Sequence, residues 1–164
     1  MSEYHNTKVE DRVPLGQKLA IGAGGFPIQN GGLIVQYMAQ PIFQIFLGLN
    51  PALFGLAMTI PRIWDAFTDP VMGRISDRTQ SRYGRRRPYV FVGALAVALT
   101  FLTIWMVPQS MGDTGTFLWL TIGSVLFFTA FTVFSVPFNA LVYEQTPDYH
   151  ERTRLMFYLA LFYN

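Results

Sequence analysis

Residues 51–88, PALFGLAMTIPRIWDAFTDPVMGRISDRTQSRYGRRRP, decide the fold class. A mainly apolar stretch of membrane length, 51–76, carries Arg62, Asp65 and Asp69 in its middle and runs into a turn dense in arginine. A bilayer core about 30 Å thick needs about 20 mainly apolar residues per helix. Working outward, three more stretches meet that requirement, 19–49, 89–107 and 116–142, and a fifth begins near Thr153. Its twelve residues to Asn164 would rise only about 18 Å as a helix, so the sequence as given is expected to stop inside the membrane. The composition agrees. Of 164 residues 51% are apolar, 16% aromatic and only 13% charged, against about 25% charged in soluble domains. The expected fold class is all-α, a polytopic membrane helical bundle preceded by a polar segment, 1–18.

Several function classes fall away. There is no cysteine, which removes disulfides, thiolate metal sites and a catalytic thiol together. His5 and His150 are too few and too far apart for a zinc cluster. No phosphate-binding loop or activated nucleophile is present, so no enzyme is expected, and no cofactor. The first eighteen residues mix acids and bases and lack a small-residue cleavage site, unlike a signal peptide. Eleven of the twelve basic residues lie before the first span, around the second-to-third connection, or between the fourth and fifth spans. By the positive-inside rule those regions and the N-terminus are cytoplasmic, the alternation agrees with four spans, and the expected location is the plasma membrane. A basic cluster abutting membrane on both sides is not a nucleic-acid surface.

The twelfth basic residue, Arg62, shares the second span with Asp65 and Asp69. Spacings of three and four put all three on one helix face, with Gly73 one turn further. Ionisable residues at that depth are functional candidates. Two carboxylates about 6 Å apart repel by roughly 3 kcal/mol at an effective dielectric of 20. Either Arg62 neutralises one, or one holds a proton, or a small hard cation sits between them on oxygen ligands. The last two suit a transporter coupled to H+ or Na+; the bland alternative is a structural ion pair from Arg62 to Asp65.

The first span carries amides instead of charges. Gln29, Gln36, Gln40 and Gln44 form one polar stripe, which faces protein or water rather than lipid. Gly22, Gly24, Gly25, Gly31 and Gly32, with Pro27 between, favour close helix approach or a bend. After the second span, Gly73, Asp77, Arg78, Gly84, Arg85, Arg86 and Arg87 form a glycine, acid and basic-turn sequence in which Asp77 can meet an arginine or a helix N-terminus. Fixing topology is the simpler role of those arginines.

These residues resemble the second-to-third helix loop of the major facilitator superfamily. RIWDAFTDPVMGRISDRTQSRYGRRRP and a second string at 136–155, VPFNALVYEQTPDYHERTRL, are similar to the glycoside-pentoside-hexuronide:cation symporters. The resemblance implies the N-terminal part of a twelve-helix carrier whose C-terminal half is absent, so that this chain alone would not transport. It implies a cation site at Asp65, Thr68, Asp69 and Thr132, with threonine at 68 where the family's best-known member has asparagine. Its substrate positions fall on Gln29, Ser135 and Asn139, which lack that member's acids and tryptophan, and no arginine stands on the fifth helix. Arg62 adds a charge beside them, and Trp64 or Phe131 offers a face on which a sugar stacks. The implied function is cation-coupled symport of a sugar or glycoside by alternating access; a proton-coupled or lipid-type carrier, or a non-transporting membrane protein, are the alternatives. The basic turn and the segment holding Asp148, Glu151 and Arg152 are expected to pair as a cytoplasmic gate.

Overall fold

The computed structural model describes residues 12–82, 84–108 and 111–163; residues 1–11 of the expected polar segment, and Asn164, lie outside them. Five α-helices follow one another: α1 Leu15–Ala39, α2 Pro51–Arg78, α3 Arg87–Trp105, α4 Asp113–Tyr143 and α5 Tyr149–Tyr163. No strand occurs among the described residues. Two of the helices, α3 and α4, are long and apolar enough to cross a bilayer.

The stretch 19–49 is not one uniform helix. After Ala39 the backbone continues as a π-helical segment, Gln40–Phe46. Pro41 has no N–H to continue the α ladder, and Leu47 N–H instead donates to the Ile42 carbonyl at 3.0 Å. Gly48, at φ +70°, turns the chain, a conformation glycine adopts without a Cβ penalty. Asn50 then caps α2 by accepting from Ala52 N–H at 2.8 Å, with Pro51 in the first turn where no amide partner is needed.

Gly32–Phe138 form one compact unit, and the described residues before and after it form another, the boundaries falling inside α1 and α4. The core of the first unit gathers Val35, Ala39, Phe43, Ala57, Ile104, Leu120, Phe127 and Phe128. Aromatic rings lock it: Phe101 meets Trp105 edge-on at 5.6 Å and tilts on Phe127 at 6.1 Å. α3 and α4 approach so closely that a Cβ on Gly93 would lie 2.7 Å from the backbone of Phe134, and one on Gly123 would lie 3.2 Å from Ile104. The two crossings, Gly93 to Phe134 and Ile104 to Gly123, run in opposite chain directions, so the helices are antiparallel.

In the other unit α5 packs on the first half of α1. A Cβ on Gly22 would collide with the Phe162 ring at 2.6 Å and stand 3.1 Å from the Tyr158 carbonyl, the close approach that small residues permit between apolar helices.

Candidate cation and substrate site

α2 and the part of α4 up to Phe138 build the site, within the unit 32–138. On α4, Thr132 is 3% exposed, and its hydroxyl donates to the exposed Asp69 of α2 at 2.8 Å. A hydroxyl held in this way offers its lone pairs to anything that displaces its proton from the carboxylate. Asp65 lies one turn earlier, and its Oδ1 is buried without a hydrogen-bond partner. Thr68, half-buried between the acids in sequence, turns its hydroxyl back onto its own helix, donating to the Trp64 carbonyl at 3.3 Å.

Arg62 is not bonded to either acid. Its guanidinium lies over the Phe128 ring, 4.7 Å from the centroid, and no ion pair joins it to Asp65 or Asp69 among the described residues. Two carboxylates therefore share one helix face, with a threonine hydroxyl bonded to one of them and no bonded countercharge. Repulsion between them falls when a cation or a proton enters.

Next to this group a hollow of about 230 Å³ is lined by Gln36, Met58, Thr59, Arg62 and Phe128. An amide, a hydroxyl and a guanidinium thus face one space whose remaining walls are a thioether and a ring. Of these residues only Arg62 is an expected substrate contact; Gln36 belongs to the amide stripe of the first span, while Met58, Thr59 and Phe128 carry no signal that separates them from ordinary helix residues. The other expected contacts are dispersed. Trp64 donates its indole N–H to Thr129 at 2.9 Å and lines a second, almost wholly apolar hollow of about 370 Å³ whose walls also include Thr68 and Thr132 of the cation group, with Phe67, Val71 and Met72. Phe131 stacks on Phe127, ring centres 6.0 Å apart, as part of the core. Ser135 is half-buried on α4, and Gln29 and Asn139 are exposed residues of the second unit.

At the end of α2, Arg86 donates to Asp77 at 2.6 Å. Gly84 holds φ +97° in the turn between, where an L side chain is strained. The hydroxyls of Thr79 and Tyr89 meet at 2.7 Å across the same turn. In the other unit Asp148, Glu151 and Arg152 make the following contacts. Asp148 caps α5, accepting from the amides of His150 and Glu151 at 2.7 and 3.1 Å. Arg152 donates to the Thr146 carbonyl at 3.0 Å. Glu151, 1% exposed, accepts from Val13 N–H at 3.1 Å and Lys18 Nζ at 2.5 Å and pairs with Arg154 at 3.3 Å. Burial pushes the Glu151 carboxyl upward, but the Lys18 ammonium, the Val13 amide and the Arg154 guanidinium outweigh it and hold its pKa below the ordinary glutamate value.

With this arrangement in view, residues 20–164 match the family described as MFS/sugar transport protein. The chain belongs to this family. It is 36% identical over 144 residues to an uncharacterized symporter of Synechocystis, covering 84% of this chain and 26% of that protein. It is 32% identical over 136 residues to the sodium-dependent lysophosphatidylcholine symporter 1-A of Danio rerio, covering 82% and 25%. A protein named as a glycoside/cation symporter of Escherichia coli is 28% identical over 157 residues, covering 94% and 33%. The chain spans about a quarter to a third of the length of these relatives. The family consists of multi-pass membrane transporters rather than enzymes, and its symporter members move a small molecule together with a cation.

Proposed function

We propose that this chain supplies the cation site and one wall of the substrate cavity of a symporter that carries a sugar or glycoside with Na+. The observation that carries the reading is the Asp69–Thr132 contact beside Asp65, with Arg62 turned away onto Phe128. A sodium ion entering there gains two carboxylates and the oxygens of Thr132 and Thr68, all hard ligands of the kind such ions prefer. Binding relieves the repulsion within the acid pair, and the field change is felt at Arg62 in the adjoining hollow. There Gln36, Thr59 and Arg62 offer donors and acceptors to sugar hydroxyls, while Phe128 offers an apolar face. In this reading a second helical half supplies the opposite wall, and the two halves rock about the site in alternating access.

A second substrate class, a zwitterionic lysophospholipid, has a specific observation in its favour. The arginine of the hollow suits a phosphate, its other walls include Met58 and Phe128, and relatives about 30% identical are named lysophosphatidylcholine symporters. Proteoliposomes containing the full-length protein decide between the two. Sodium-gradient-driven uptake of labelled glycosides, abolished in Asp65→Asn and Asp69→Asn, is the expected result. Uptake of lysophosphatidylcholine alone would replace the sugar reading, and uptake indifferent to sodium but driven by a pH gradient would replace sodium with a proton.

A further inference from the structure

A further hollow in the unit 32–138, lined by none of the acid-pair residues, lies at the start of α3. It is an open recess of about 810 Å³ lined by Arg82, Gly84, Arg87, Pro88, Phe91 and Val92. Along the chain the two arginines come first and the proline, phenylalanine and valine follow. Arg86, between them in sequence, is turned toward Asp77 and does not line the recess.

The apolar lining does not stop at the recess. Phe91, Val92, Leu95, Leu99 and Leu102 are 54–68% exposed, and their spacings of one, three, four and three put them within about a third of the α3 circumference. Gly93 and Ile104, which pack on α4, occupy the opposite face. α3 thus presents to its surroundings a continuous apolar strip that begins where the arginines end. From Phe91 to Leu102 the helix rises about 16 Å, close to the roughly 15 Å depth of hydrocarbon in one bilayer leaflet.

We propose that this recess and strip bind one anionic phospholipid, the headgroup phosphate between Arg82 and Arg87 and an acyl chain along Phe91, Leu95, Leu99 and Leu102. The charge is complementary and the order is right: guanidinium groups at the level where an apolar, membrane-length helix begins, then one leaflet's depth of hydrocarbon surface. A soluble phosphate would use the arginines and leave the strip unexplained. The positive-inside rule assigns the basic turn to the cytoplasmic side, where the anionic lipids of cell membranes concentrate. The occupant would brace the turn that carries the Asp77–Arg86 pair.

The test uses the full-length protein in detergent micelles doped with phosphatidylglycerol or phosphatidylcholine, with lipid retained after purification counted by mass spectrometry. Phosphatidylglycerol is expected to be retained in preference to phosphatidylcholine. Arg82→Gln and Arg87→Gln are each expected to weaken that retention about fivefold, the usual effect of one basic residue at a membrane surface. Arg74→Gln, a basic residue outside the recess, is expected to leave it unchanged. If an arginine variant fails to fold, Val92→Glu places a like charge at the exposed wall of the recess and is expected to abolish the preference. Equal losses in Arg74→Gln and the recess variants, displacement by glycerol 3-phosphate at comparable concentration, or an unchanged preference in Val92→Glu would each overturn the proposal.

Discussion

Thr132→Val isolates the contact on which the cation reading rests. Valine nearly matches threonine in shape, so at a position 3% exposed the substitution removes the hydroxyl and little else. That hydroxyl donates to Asp69 at 2.8 Å; in the proposed reading it would present a lone pair to a bound sodium ion instead. Hydrogen bonds to charged groups contribute about 1.5–3 kcal/mol. Loss of the hydroxyl as an ion ligand weakens sodium binding, while loss of its bond to the exposed Asp69, which water replaces, offsets part of this. The net effect therefore sits at the low end, about 1.5 kcal/mol, or roughly tenfold in the sodium concentration for half-maximal uptake. Thr132→Ser keeps the oxygen and is expected to stay close to the unmodified protein. Thr121 is the internal control: it sits on the same helix, bonds only its own Phe117 carbonyl at 2.8 Å, and its valine variant is expected to leave sodium dependence alone. The assay is sodium-stimulated uptake in proteoliposomes of the full-length protein. An unchanged half-saturating sodium concentration in Thr132→Val would refute the assignment, as would an equal shift in Thr121→Val.

Three further outcomes follow from packing and charge. Gly93→Ala puts a methyl 2.7 Å from the Phe134 backbone and is expected to cost about 1–3 kcal/mol, whereas Gly73→Ala meets only the Val136 side chain at 3.9 Å and gains up to about 1 kcal/mol from helix propensity; thermal unfolding in detergent should rank them in that order. Glu151 has a folded pKa below its unfolded one, so its stabilising effect is complete above the ordinary glutamate range and fades as pH falls through the lower folded value. Protection of the Val13 amide, corrected for intrinsic exchange, should be lost over that acidic window, and Glu151→Gln should weaken it at neutral pH as well. Gly84→Ala forces φ +97° on an L residue at a cost of about 1–3 kcal/mol, read as faster tryptic cleavage after Arg85 or Arg86.

The apolar runs were long enough, and their charges segregated enough, that five helices and their approximate limits follow from the order of residues alone. Spacing also sufficed to put Arg62, Asp65 and Asp69 on one face, because helix periodicity is local. Three features depended on contacts between residues far apart in the chain. Spacing left open an ion pair from Arg62 to Asp65, whereas the guanidinium rests on Phe128, a residue that only the packing of α4 against α2 brings within reach. The sequence offers no sign that Glu151 is held by Val13 and Lys18, more than 130 residues earlier. Among the glycines, the α1 group signals close helix approach and Gly22 makes one, where a Cβ would lie 2.6 Å from Phe162, but the equally tight approach at Gly93 carries no signal in an apolar run. Sequence thus determined which residues share a helix face and where charge is scarce, both set by the backbone repeat and by the cost of burying charge in hydrocarbon. Tertiary structure decided what each polar group touches, because a hydrogen bond is settled within a few tenths of an ångström by the neighbour that packing supplies.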